Sequence, residues 1–78
     1  MPTVLRRGPY RVYFFSNDRE EPPHVHVDRG GATAKFWLTP VALSRNGGFP
    51  GRELRTIASM LEANETGLLE AWHAFFEG

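Results

Sequence analysis

Two imidazoles stand two residues apart in the run Glu20-Glu21-Pro22-Pro23-His24-Val25-His26-Val27-Asp28. Histidine titrates near neutrality, so a pair can divide the work of general base and general acid. A metal-independent ribonuclease needs such a pair, together with a cation that holds the charge building on the phosphorus oxygens. Arg11, Lys35 or Arg29 can supply that cation. Tyr13 and Trp37 can stack bases. The same histidines also suit a metal. Residues i and i+2 of a strand lie about 6.5–7 Å apart on one face, and neutral imidazole binds zinc, copper, nickel or iron. Asp28 can add an oxygen, but His-x-His-x-Asp along one straight strand spans too far to close easily on one ion. Glu20, Glu21 or His73 is the better third ligand. The plain alternative is that both histidines are the wet side of a strand. The residues point to His24, His26, Arg11 and Lys35 as an acid–base set and to Tyr13, Trp37, Asp28 and Arg29 as a binding set. They commit to no metal-ligand set and no cofactor.

The elements that must carry these residues follow from the pattern. Thr3–Arg7 reads as a first strand, closed by Gly8-Pro9. Residues 10–16 (YRVYFFS) are aromatic and β-branched, the clearest strand. A polar loop, Asn17 to Glu21, leads into Pro22-Pro23, which stiffens the entry to a third strand over residues 24–28. Arg29-Gly30-Gly31 turns it into a fourth, residues 32–38. Residues 41–44 add a short edge strand after Pro40, and Arg45-Asn46-Gly47-Gly48 reads as a turn. The period changes after Pro50, a residue suited to a first helical turn. Leu54, Ile57, Ala58 and Leu61 then mark one helix face. Asn64 ends that helix and can cap the next, where Leu68, Leu69, Trp72, Phe75 and Phe76 form a broad apolar stripe. The expected fold is α+β: an antiparallel sheet of four to five strands followed by two helices on one face, in a single domain spanning residues 1–78.

Strand alternation then sorts the side chains. Val12, Phe14, Val25, Val27, Ala34, Phe36 and Leu38 face the helices. Arg11, Tyr13, His24, His26, Asp28, Lys35 and Trp37 gather on the uncovered face, with Phe15 and Thr33 beside them. Exposed aromatics on such a face mark a binding site or a subunit interface.

Composition bounds the function. The 78-residue chain has no cysteine and no formal net charge. Disulfides and Cys-rich zinc sites are excluded, and no apolar run approaches the roughly 18 residues of a membrane span. No charged segment followed by an apolar one opens the chain, so a soluble, cytoplasmic protein with no membrane role is expected. Residues 1–55 hold all nine basic residues and five acidic ones, whereas residues 56–78 hold four acidic residues and no base. Eight of the nine bases are Arg, which favours bidentate contacts to phosphate or carboxylate. A basic sheet and an acidic helical surface can then serve different partners.

The opening MPTVLRRGPYRVYFFSN, the central EEPPHVHVDRGGATAKFWL and the closing RELRTI and LLEAWHAFF resemble, over essentially the whole chain, a small bacterial family catalogued as domain of unknown function 4160. Pro22-Pro23-His24-x-His26 carries most of the likeness. Thr66-Gly67 departs from it, because related chains tend to have charged helix formers there, which weakens the start of the second helix. Family members are often encoded beside another small protein, an arrangement similar to a toxin–antitoxin pair. The resemblance therefore implies a toxin-like role with an antitoxin-like small protein as partner and carries over no established activity; the histidine-bearing sheet face adds RNA as the expected substrate or ligand. Two other readings stay open: a non-catalytic interaction module or homo-oligomer using the open sheet face, and a metal-dependent enzyme using His24 and His26.

Overall fold

Three two-residue turns fold the first half of the chain back on itself. Arg7 pairs with Tyr10 across Gly8-Pro9, Arg29 with Ala32 across Gly30-Gly31, and Leu38 with Val41 across Thr39-Pro40. Gly8 and Gly30 carry φ of 53° and 58°, a conformation that tight hairpins demand and that glycine takes without penalty. Thr39-Pro40 is a cis peptide, and Pro22-Pro23 is not. The computed structural model describes residues 3–16 and 18–77.

The strands are β1 (Thr3–Arg7), β2 (Tyr10–Tyr13), β3 (His24–Arg29), β4 (Ala32–Leu38) and β5 (Val41–Gly47). They form one antiparallel sheet in sequence order. A 3-10 turn, Asp18–Glu20, sits in the long β2–β3 connection. Two helices follow, α1 (Gly51–Ala63) and α2 (Glu65–Glu77). The expected α+β order is therefore what the chain adopts. β2 is shorter than its sequence pattern and stops at Tyr13. β5 is longer, because Arg45, Asn46 and Gly47 continue the ladder to β4 instead of turning away.

Alternation places the core where the pattern put it. Val12, Phe14, Val25, Val27, Ala34, Phe36 and Leu38 are buried in one cluster with Ile57, Leu61, Leu68 and Trp72 of the helices. Each large apolar side chain buried there contributes roughly 1.5–3 kcal/mol. Phe49 joins the cluster because Asn46 brackets it, accepting from its N–H at 3.0 Å and donating to its carbonyl at 2.9 Å. Pro50 sits just ahead of α1 with extended backbone. Its carbonyl accepts from the amides of Glu53 and Leu54.

Asn64 closes α1, but its side chain donates back to the Met60 carbonyl at 2.8 Å. It contributes only its own carbonyl to α2, accepting from Leu68 N–H. Gly67 lies within α2 all the same, where packing of Leu68 and Trp72 outweighs the propensity cost of about 1 kcal/mol. Phe75 departs from expectation: it stays 46% exposed, with edge-on contacts to Phe14 and Phe76. The stripe of α2 is wider than the sheet surface available to cover it.

Candidate functional site

His24 opens β3, and β2 has already ended opposite His26. Beyond that point the sheet face is closed by the β2–β3 connection and by tryptophans. The His24 ring lies 5.2 Å from Trp72, 5.7 Å from Trp37 and 5.2 Å from His26, centroid to centroid. It is 0% exposed. The two imidazoles are neighbours, as alternation requires, but His24 is not an exposed group. Short β2 leaves a gap at the sheet end, and Trp72 reaches it.

The backbone fixes the ring. His24 Nδ1 lies 3.0 Å from the Pro22 carbonyl oxygen. A carbonyl only accepts, so Nδ1 carries the proton. Nε2 lies 3.2 Å from Asp18 Oδ2, yet the angle makes no hydrogen bond, and this buried nitrogen has no partner. Pro23 contributes its carbonyl to the amide of Leu38 in β4. The two prolines thus tie the entry of β3 to both the histidine and the sheet.

His26 is partly buried. Its Nε2 is 3.1 Å from the same Asp18 Oδ2, and its ring stacks on Tyr13 at 5.4 Å and meets the edge of Phe15 at 4.8 Å. Burial lowers its pKa, and the facing Asp18 carboxylate opposes that shift. Asp18 also accepts from the Phe15 amide at 2.8 Å, which holds the carboxylate between the two rings. Donor atoms of Asp18, His24 and His26 all lie within 4.8 Å of one another. Asp18 is hidden within a polar loop of the sequence. An acidic residue six before a His-x-His, delivered by a proline-closed loop, is the signal that could have found it. Glu20 and His73, the other expected third ligands, stand elsewhere, and His73 pairs with Glu77 at 2.8 Å along exposed α2. Glu21 approaches His24 Nδ1 at 3.8 Å, on the proline side of the ring.

Across the open face, β-ladder pairing lines up Tyr13, His26, Lys35 and Arg45 on four successive strands. A cavity of about 100 Å³ is lined by His26, Thr33, Lys35, Arg45 and their neighbours. Lys35 Nζ lies 2.6 Å from Glu21 and 4.8 Å from the Trp37 ring. That ion pair holds the Glu21 carboxyl below its ordinary range. Arg45 belongs to β5 and not to a turn, which brings it to this row.

The remaining expected residues divide. Trp37 stands on the open face, half-buried, and lines an apolar groove of about 250 Å³ with Pro22, Pro23, Thr39, Pro40 and Ala42. Arg11 lies over Tyr13 at 4.5 Å and donates to Thr3 at 2.7 Å. Tyr13 is only 6% exposed, sealed by Arg11, Phe15 and His26. Its hydroxyl donates to Asp28 at 3.0 Å, and burial raises its pKa. Tyr13 and Asp28 therefore satisfy each other, and Tyr13 offers no free face for stacking. Arg29 is not beside the histidines. It forms a two-pronged pair with Glu53 of α1, with the Tyr10 hydroxyl on the same carboxylate at 2.8 Å. Glu53 is consequently held below the ordinary carboxylate range, first by Arg29 and then by Tyr10.

Among the described residues, no helix is long and apolar enough to cross a membrane. No curated protein and no solved structure matches the chain. A family model does, over residues 10–73, a span that runs from β2 through the paired histidines into α2. The chain belongs to the family described as Domain of unknown function (DUF4160).

Proposed function

We propose that the open sheet face binds RNA in a small toxin-like protein. The observation that supports this most is the transverse row His26, Lys35 and Arg45, which lines one cavity. Two cations beside an imidazole suit a phosphate flanked by a sugar or base, and Trp37 next to Lys35 offers an aromatic surface. The reading favours binding over two-histidine cleavage. A general acid must reach the leaving group, and His24 has no exposed surface. His26 is the imidazole within reach of a ligand.

The test is fluorescence anisotropy with a labelled single-stranded RNA across a salt series. Lys35→Ala/Arg45→Ala should weaken binding and flatten the salt dependence by about 0.7 in log–log slope, the share of the one phosphate left without its cations. Wild type that fails to bind at low salt, or a double variant with the wild-type slope, would refute the reading.

A second reading has its own support. β5 is a sheet edge, exposed along nearly its whole length, with Leu43 45% exposed. The proline-rich groove at Trp37 and Ala42 adjoins it. An open edge beside an apolar groove suits strand addition by an antitoxin-like small protein or a second copy of the chain. Light scattering over a wide concentration range distinguishes self-association from a strict monomer.

A further inference from the structure

We propose that Asp18, His24 and His26 form a binding site for one divalent transition-metal ion, of the class of zinc or cobalt. This site does not depend on RNA binding. Its first support is geometric. With metal–ligand bonds of about 2.0–2.1 Å and tetrahedral angles, neighbouring donor atoms stand about 3.3 Å apart. His24 Nε2 and His26 Nε2 stand 3.2 Å and 3.1 Å from Asp18 Oδ2, and all three donor positions fall within 4.8 Å of one another.

The second support is the unpartnered nitrogen. His24 is wholly buried, and its Nε2 has no hydrogen-bond partner. Because Nδ1–H donates to the Pro22 carbonyl, Nε2 is the ring nitrogen left to offer a lone pair to a metal. It faces a carboxylate oxygen that is also electron-rich. Two acceptors held together inside a protein are costly, and a bound cation turns that cost into ligation.

The third support is what surrounds the ligands. A metal-binding imidazole commonly donates its other N–H to a backbone carbonyl, which fixes tautomer and direction. Pro22 does this for His24, and the Phe15 amide anchors Asp18 at 2.8 Å. In the Pro-Pro-His-x-His run Pro22 would therefore serve a metal by orienting the His24 ring. Asp18 and His26 side chains keep 14% and 12% exposure, so an ion can enter from their side. Three protein ligands leave a coordination position for water or a ligand, the pattern of reactive metal centres.

Chelator-stripped protein titrated with Co²⁺ should bind one equivalent and develop visible ligand-field absorption. Quenching of tryptophan fluorescence should accompany it, because Trp72 and Trp37 lie 5.2 Å and 5.7 Å from the His24 ring. Zn²⁺ should displace the Co²⁺. Asp18→Asn and His26→Gln should each weaken binding about 10-fold or more, while His73→Gln leaves it unchanged. Should either variant misfold, imidazole ¹⁵N shifts of the wild type on adding Zn²⁺ decide: those of His24 and His26 should move and that of His73 should not. The proposal is overturned by wild type that binds no Co²⁺ below millimolar concentration. Unchanged affinity in both folded ligand variants, or shifts confined to His73, would overturn it equally.

Discussion

The two faces of one sheet are built from alternate residues of the same strands, yet they are held together by different physics. On the covered face Val25, Val27, Phe36 and Leu38 are 0–1% exposed and meet helices through nondirectional packing. On the open face the neighbouring residues form short-range pairs: Tyr13 with Asp28, Arg11 with Thr3, Lys35 with Glu21, and His26 with Asp18. The covered face tolerates exchange of one apolar group for another of like volume. The open face depends on particular atoms at particular angles. Stability should therefore reside on the first and chemistry on the second.

Adjacent residues of β4 break the comparison most directly. Phe36→Ala should cost about 3–5 kcal/mol, from the burial removed and the cavity left behind, a large share of the roughly 5–15 kcal/mol of a typical domain. Lys35→Ala, one position along, should cost about 0–1 kcal/mol, because its Glu21 partner is half exposed. Urea midpoints of the two variants measure both. Equal losses would mean that the open face carries as much stability as the core.

Tyr13→Phe tests whether the open face has a small buried lattice of its own. Removing the hydroxyl leaves Asp28 without that donor, for an expected loss of about 1 kcal/mol. The ring contacts to Arg11, Phe15 and His26 remain. A thermal melt indistinguishable from wild type would show that Asp28 exchanges the hydroxyl for water at no cost.

A smaller effect lies at the seam between sheet and helices. The Glu53 carboxyl is depressed by Arg29 and Tyr10, so its stabilising contribution is present above the ordinary glutamate value. It is lost as pH falls through the depressed one. The stability gap between wild type and Glu53→Gln should accordingly be widest at neutral pH and close on acidification. Urea unfolding at a series of pH values reads this directly, and a gap independent of pH would detach Glu53 from the ion pair.

Much of this arrangement was legible in the residue order. Period two through Leu38 and period 3.6 after Pro50 set the α+β order, because alternation and helical repeat are properties of the local backbone. The inward set Val12, Phe14, Val25, Val27, Ala34, Phe36 and Leu38 followed from the same alternation, and so did the nearness of His24 to His26. Tertiary structure decided the rest. Burial of His24 depends on where β2 stops and on Trp72, far along the chain in α2. Recruitment of Asp18 depends on the path of a loop with no periodicity. Alternation already sets Arg29 on the side of Val25 and Val27, but its pairing with Glu53 depends on α1 arriving there. Each is a contact between segments distant in the chain, whose strength lies in distance and angle. Spacing along the chain carries neither, so the order of residues names the two histidines but only the fold supplies their carboxylate.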